Sequence, residues 1–179
     1  MRLKSVVMDE AAMRRSMARI THEIIEKNGG LQDLVLLGIR RRGLSLARML
    51  RENMAKFEGL TVPMGSIDIS RYRDDLSLLS SLPAAGESDI PCDLTGRTVV
   101  LVDDVIFTGR TVRAAIEAIF QYGRPRAIQL AVLIDRGHRE LPIRPDFVGK
   151  NIPTSHSEVV SVMVPAFDSQ TGVCLYQLE

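Results

Sequence analysis

Two adjacent carboxylates end an apolar segment in the middle of this chain. Residues 99–102 are aliphatic and mostly β-branched, and Asp103 and Asp104 follow them directly. Residues 105–110 include small side chains and lead into a helix-forming sequence that begins at Thr111. Carboxylates can bind sugar hydroxyls or a metal-bound water, and the N–H groups at a helix N-terminus favour a phosphate. The pattern therefore predicts a strand, a loop and a helix that together bind a sugar phosphate.

An ordinary turn between a strand and a helix, capped by a threonine, is the simpler alternative. The acidic pair that precedes the turn favours the ligand site over that alternative. The chain contains neither a G-x-x-x-x-G-K-[ST] loop nor a G-x-G-x-x-G sequence after a strand, which disfavours an ATPase or a dehydrogenase. The residues predicted to bind the phosphate are Val105, Ile106, Phe107, Thr108, Gly109, Arg110 and Thr111.

Three arginines follow a second apolar segment. Arg40, Arg41 and Arg42 come directly after residues 34–39, which are nearly all apolar. Ligands of parallel sheets bind beyond the carboxyl ends of the strands, so we expect these arginines near the acidic pair. Guanidinium groups bind phosphate oxygens well. The alternative is a solvated basic surface.

Apolar segments alternate with amphipathic ones through the middle of the chain, which predicts an α/β fold with a mainly parallel sheet. At 179 residues, one domain is expected. The predicted helices cover residues 10–27, capped by Asp9, residues 44–57 and residues 111–122. The predicted strands cover residues 34–39, 64–69, 99–103, 127–134, 159–164 and 173–176.

Composition excludes several classes of protein. Hydrophobic residues make up 45% of the chain and charged residues 25%, which is typical of a globular protein. No apolar run is long enough to span a membrane, and Cys92 and Cys174 do not form a C-x-x-C pair. We expect a cytoplasmic protein with reduced thiols. Because the net charge is only +1, any nucleic acid must bind to a local basic patch.

The segment from Asp103 to Thr111 resembles the motif with which type I phosphoribosyltransferases bind 5-phosphoribosyl-1-pyrophosphate (PRPP). Residues 67–77, 103–115 and 128–155 resemble, more narrowly, the bifunctional regulators of pyrimidine-operon attenuation that also have uracil phosphoribosyltransferase activity. The sequence DRGHRELPIR within residues 128–155 is the most diagnostic part. The resemblance covers nearly the whole chain and implies the type I phosphoribosyltransferase fold. It also implies a flexible hairpin at about residues 70–95, and a small hood from the N-terminal residues and about residues 135–179.

The resemblance also implies roles for individual residues. Asp103, Asp104 and Arg73 would be catalytic, and Arg40, Arg41 and Arg42 would bind the pyrophosphate. Mg²⁺ would accompany PRPP near the acidic pair, with no site fixed by protein ligands alone. The residues expected at uracil are Asp135, Arg136, Gly137 and His138. The family pattern places a threonine among the basic residues of the pyrophosphate loop, whereas this chain has three consecutive arginines.

The second implied activity is binding of structured leader mRNA of the pyrimidine operon, controlled by UMP or UTP. Arg15, Arg19 and His22 share one face of the first predicted helix. The residues expected to contact RNA are Arg15, Arg19, His22, Arg139, Arg144 and Lys150. A homodimer or a higher homo-oligomer is implied, with no membrane partner. The alternatives are a salvage enzyme that binds no RNA and a purine phosphoribosyltransferase.

Overall fold

The computed structural model describes residues 1–73 and 86–179. In chain order its elements are β1 (Arg2–Met8), α1 (Glu10–Asn28), β2 (Leu34–Ile39), α2 (Arg42–Glu58), β3 (Met64–Ile67), β4 (Thr98–Ile106), α3 (Arg110–Ile119), β5 (Ala127–Asp135), β6 (Phe147–Asn151), β7 (Glu158–Met163) and β8 (Gly172–Gln177). The predicted α/β fold is confirmed.

The central sheet of the described residues has five parallel strands in the order β3-β2-β4-β5-β6. Alternate residues of its strands pack on opposite faces, as the pleat requires. Leu34 and Leu36 belong to the core beneath α1 and α2, whereas Val35 and Leu37 belong to the core beneath α3. Both faces are therefore covered, and the strands are correspondingly apolar.

Helix α1 forms where its sequence predicts it. Its buried residues include Met13, Met17, Ile20 and Ile24, and the Ala12 N–H donates to Asp9 Oδ1 at 2.7 Å. The N-cap and the apolar stripe that the spacing predicts are therefore both confirmed.

A second, antiparallel sheet joins the two ends of the chain. Its order is β1-β8-β7, with Arg2 opposite Gln177 and Glu158 opposite Gln177 on the other side. Strand β1 was not predicted, because most of its side chains are exposed and its partner lies at the far end of the chain. Strand β6 was also missed, because five residues that include Gly149 and Lys150 carry little strand signal.

The structure also corrects the predicted bounds of the strand and helix on either side of the predicted phosphate-binding loop. Strand β4 continues to Ile106, which pairs with Asp135 of β5, instead of ending at Asp103. Helix α3 ends at Ile119 instead of Tyr122. Val105 and Ile106 therefore belong to the sheet, and the connecting loop is shorter than predicted.

The hairpin predicted at residues 70–95 includes residues 74–85, which lie outside the described residues. Its two ends are described. Tyr72 is held at the first end, because its carbonyl accepts from Arg113 Nη2 at 3.2 Å. At the other end, Ser66 and Asp89 exchange backbone hydrogen bonds of 2.8 and 2.9 Å.

Candidate active site

The loop between β4 and α3 is short and presents a helix N-terminus. Gly109 is the N-cap of α3, with a φ of 93° that favours glycine, and it makes no side-chain capping hydrogen bond. The Arg110 N–H is within 3.3 Å of Thr108 Oγ1. Since the first N–H groups of a helix have no partners within the helix, residues 107–111 can bind an anion.

The two carboxylates precede this loop within β4. Asp103 is buried and Asp104 is partly exposed. The Asp104 N–H donates to Asp103 Oδ1 at 2.9 Å, and the Val105 N–H donates to Asp104 Oδ1 at 2.8 Å. Burial raises the pKa of Asp103, and the neighbouring Asp104 charge raises it further. A bound cation would relieve both effects.

The three arginines after β2 have three different environments. The Arg40 guanidinium donates to the Glu87 carbonyl, beside the second end of the predicted hairpin. Arg41 is exposed and makes no hydrogen bond or ion pair within the part of the chain that the structure describes. Arg42 donates from Nε to the Val162 carbonyl at 2.6 Å and lies 3.3 Å from Asp168 Oδ1. The predicted pyrophosphate site is corrected here: Arg42 faces the antiparallel sheet, because β7 supplies an acceptor for it.

The segment after β5, residues 136–143, is hydrogen-bonded to residues 107–111, the predicted phosphate-binding loop. The N–H groups of Glu140 and Leu141 donate to the Thr108 carbonyl at 2.9 and 3.1 Å. Arg139 donates to the Phe107 carbonyl at 2.9 Å and to Asp135 Oδ2 at 2.6 Å. Because the loop and this segment share these bonds, a displacement of one displaces the other.

Asp135 is held in its charged form. Burial would raise its pKa, but hydrogen bonds from the Arg139 side chain and the Gly137 N–H, together with nearby positive charge from Arg139 and Arg144, lower it below the ordinary value. Asp135 therefore provides a fixed negative charge beside the phosphate-binding loop.

Arg136 and His138 flank the Phe107 ring but differ in what they can bind. The buried Arg136 guanidinium donates to Thr154 Oγ1 and to the carbonyls of Ser155 and Glu158. It also lies 4.2 Å from the centroid of the Phe107 ring. Protein acceptors therefore occupy the Arg136 side chain, which leaves its backbone groups for the contact expected at uracil.

His138 has a φ of 61°, and its Nε2 lies 2.6 Å from the Thr154 carbonyl oxygen. Its ring centroid is 5.7 Å from that of Phe107 and 4.1 Å from that of His156. His156 was not predicted as part of the site, and no sequence signal marks it. Both histidine rings therefore lie beside the Phe107 ring.

The predicted RNA-binding residues lie on α1, on the segment after β5 and on β6. Arg19 donates to the Val148 and Gly149 carbonyls at 3.1 and 2.6 Å, which brings it beside Lys150 of the same strand. His22 stacks on Phe57 of α2, with the ring centroids 4.3 Å apart. Arg139, which is also expected to contact RNA, donates from its guanidinium to Asp135 and to the Phe107 carbonyl. Arg144 is exposed, and its charge acts on Asp135.

The sequence is similar to a known family of proteins. A phosphoribosyl transferase domain matches residues 7–166. The chain is 57% identical to the bifunctional protein PyrR of Caldicellulosiruptor bescii over 173 residues, which cover 97% of this chain and 95% of the relative. It is 57% identical to the bifunctional protein PyrR of Clostridium kluyveri over 178 residues, which cover 99% of this chain and all of the relative.

The chain belongs to the bifunctional PyrR family. Solved structures agree with the phosphoribosyltransferase fold of this family. A hypoxanthine phosphoribosyltransferase of Trypanosoma cruzi matches with a TM-score of 0.76 at 22% identity, over 98% of this chain and 96% of that one. A hypoxanthine-guanine phosphoribosyltransferase of Bacillus anthracis matches with a TM-score of 0.71 at 15% identity, over 97% and 98% of the two chains. At these identities the similarity concerns the fold.

Two further observations bear on this PyrR family member. None of its described helices is long and apolar enough to cross a membrane. Within residues 1–73 and 86–179, no three acidic, histidine or cysteine side chains are grouped so that they could hold a metal ion. A divalent cation at Asp103 and Asp104 would find no third acidic, histidine or cysteine ligand among the described residues, so a substrate or water would complete its coordination there. Carboxylate oxygens suit Mg²⁺, which commonly keeps several water or phosphate ligands.

Proposed function

We propose that this chain transfers the phosphoribosyl group of PRPP to uracil, and that it binds the leader mRNA of the pyrimidine operon under the control of UMP or UTP. Bound RNA promotes early termination of the transcript. The observation that carries this proposal is the 57% identity, over nearly the full length, to relatives named bifunctional PyrR. A salvage enzyme without RNA binding is disfavoured by the same observation.

The site supports the transferase reaction in three parts. The N–H groups of residues 107–111 bind the 5-phosphate, and Asp103 and Asp104 bind the ribose hydroxyls. Arg41 has no partner among the described residues and is exposed, so it is available to the pyrophosphate. Arg73 lies exposed at the last described position before residues 74–85 and approaches the pyrophosphate from that side.

Uracil binds beside the segment after β5. The backbone of residues 135–138 offers N–H and C=O groups that can match the alternating donors and acceptors of the base. Asp135, Gly137 and His138 face the ligand, whereas Arg136 supports the Phe107 ring from within the protein. Specificity for uracil thus comes from a segment that is fastened to the phosphate-binding loop.

No covalent intermediate with the protein is needed. The bond between C1 of the ribose and the pyrophosphate oxygen breaks, the bond between C1 and N1 of uracil forms, and the N1 proton passes to the departing pyrophosphate or to water. Positive charge develops on the ribose, while negative charge develops on the departing pyrophosphate. The protein contributes alignment and complementary charge, which together lower the barrier. Mg²⁺ would neutralise pyrophosphate charge, with Asp103 and Asp104 as its protein contacts.

RNA binding is coupled to the nucleotide through the same loop. A nucleotide that orders residues 107–111 also orders the segment after β5, because the Thr108 carbonyl accepts from both Glu140 and Leu141. A hairpin loop with unstacked bases is the form of RNA that proteins read most readily. We also propose that the antiparallel sheet forms the hood, and that the chain assembles as a homodimer or a larger homo-oligomer.

The transferase activity is tested by incubating the protein with PRPP, Mg²⁺ and an equimolar mixture of uracil, hypoxanthine and guanine. We expect UMP as the main product. A preference for hypoxanthine or guanine would support the purine enzyme instead and contradict the assignment of residues 135–138. The regulatory function is tested separately, by the affinity for leader RNA with and without UMP.

A further inference from the structure

A groove of about 620 Å³ lies between α1 and α2, on a surface that the transferase reaction does not use. Its lining residues come from both helices and from residues 165–171. Neither Asp103 nor any residue of the phosphate-binding loop lines it. The groove is therefore distinct from the nucleotide site.

The charges of the groove are uneven. Four cationic and two acidic side chains line it. Arg14 is neutralised by Glu10, whose Oε1 lies 2.5 Å away. Arg15, Arg48 and Lys56 are exposed and have no ion-pair or hydrogen-bond partner within the part of the chain that the structure describes. These three cations are available to a polyanion that lies along the two helices.

One end of the groove carries aromatic surface. Phe57 lines the groove, and its ring stacks on His22 of α1 at a centroid distance of 4.3 Å and an interplanar angle of 7°. Met49 and Ala18 add apolar surface, while Asn53 and Ser45 add polar groups. Flat rings beside hydrogen-bonding groups and unpaired cations suit an unstacked nucleobase with its flanking phosphates.

We propose that the groove between α1 and α2 binds one unstacked base of the leader RNA through Phe57, and its flanking phosphates through Arg15, Arg48 and Lys56. The inference rests on the RNA-binding part of the proposed function. It extends the RNA surface onto α2, which the sequence pattern did not implicate. A second copy of the chain is the other candidate occupant, but three unpaired cations favour a polyanion.

The test measures binding of a leader hairpin RNA to the full-length chain at saturating UMP and at several salt concentrations. R48Q and K56Q should each weaken binding several-fold and reduce the slope of log affinity against log salt by about one. F57L should weaken binding about fivefold or more, with an unchanged slope, because it removes a stacking surface and no charge. R124Q is the matched control, since Arg124 is exposed on the turn between α3 and β5.

The possible outcomes distinguish the groove assignment from the proposed function and from binding of a second copy of the chain. Equal RNA affinity for R48Q, K56Q and R124Q would overturn the groove assignment, while wild-type binding would keep the proposed function. No binding by the wild type would instead overturn the proposed function. A change of sedimentation coefficient in R48Q and K56Q without RNA would assign the groove to a second copy of the chain. The rate of UMP formation should stay at the wild-type value in these variants, which verifies that they are folded.

Discussion

The Arg139 guanidinium joins Asp135 to the phosphate-binding loop, with 2.6 Å to Asp135 Oδ2 and 2.9 Å to the Phe107 carbonyl oxygen. A third bond, from Nε to the Ile143 carbonyl at 2.9 Å, closes the segment on itself. One side chain therefore fixes the spacing between Asp135 and the loop after β4, which are the proposed base and phosphate parts of the site. The sequence resemblance implies a different role for Arg139, contact with RNA.

The first prediction concerns R139Q. Asp135 loses a charged partner, its pKa rises towards the ordinary value, and the segment after β5 loses its link to Phe107. We expect the KM for PRPP and for uracil to rise about tenfold, since a charge-assisted hydrogen bond contributes about 1.5–3 kcal/mol. Initial-rate kinetics measure this, with R124Q as the control because Arg124 is exposed on the turn between α3 and β5. Unchanged KM values with weaker RNA binding at saturating UMP would show that Arg139 contacts RNA.

The second prediction concerns the buried carboxyl Asp103. Its pKa is raised in the folded state by burial and by Asp104, so the folded protein retains this proton to a higher pH than the unfolded chain does. The free energy of unfolding therefore falls as the pH rises from about 3.9 to the raised pKa. The D103N variant has no ionisable group at this position, so its free energy of unfolding does not fall for this reason. Its Tm should exceed that of the wild type at pH 7, by about 2–4 °C for each kcal/mol regained, and the difference should shrink towards pH 4.

Activity should change in the opposite direction for D103N. The amide cannot bind a ribose hydroxyl or a cation as a carboxylate does, so UMP formation should fall by about a hundredfold or more. Thermal unfolding between pH 4 and pH 8 and initial rates at pH 7 measure the two effects. A lower Tm for D103N at pH 7 would contradict the electrostatic explanation.

The third prediction separates two neighbouring arginines. R41Q should raise the KM for PRPP several-fold without changing the Tm, since Arg41 is exposed and makes no described contact. R42Q should lower the Tm by about 2–4 °C, because it breaks the bonds to Val162 and Asp168, which are partly exposed and worth about 1 kcal/mol. The reverse pattern would place Arg42, not Arg41, at the pyrophosphate.

The fourth prediction concerns the packing of α2 against β4. A Cβ at Gly43 would lie 2.4 Å from the Val102 carbonyl oxygen, and 3.4 Å from the Asp103 Cα. G43A should therefore displace the start of α2 and destabilise the protein by about 2–4 kcal/mol. G59A is the control, because a Cβ there meets nothing within 4 Å. It should cost only about 1 kcal/mol, from its φ of 68°. Urea unfolding measures both, and equal losses would contradict the steric account.

Sequence patterns were most informative where the chain's own spacing determines the structure. Local periodicity predicts the apolar stripe of α1 and its Asp9 cap. The alternation of strands and helices predicts that the sheet is mainly parallel. The acidic pair and the loop after it were also placed at the carboxyl end of a central strand. The end of β4 was not, because pairing with β5 extends it to Ile106.

Side-chain contacts between residues distant in the sequence could not be predicted from sequence patterns. Arg42 meets Asp168, and Arg136 meets Glu158, only because the antiparallel sheet brings the C-terminal strands over the parallel one. A cluster of arginines looks alike in sequence whether its members bind a ligand or a carbonyl. The side-chain roles within residues 135–143 therefore required the tertiary structure.

The central claim is that one site both carries the transferase reaction and controls RNA binding. Titration calorimetry can measure four affinities on the wild-type chain: UMP with and without leader RNA, and RNA with and without UMP. We expect UMP to tighten RNA binding at least tenfold and RNA to tighten UMP binding by the same factor, since linkage is reciprocal. RNA affinity that is equal with and without UMP would contradict the account.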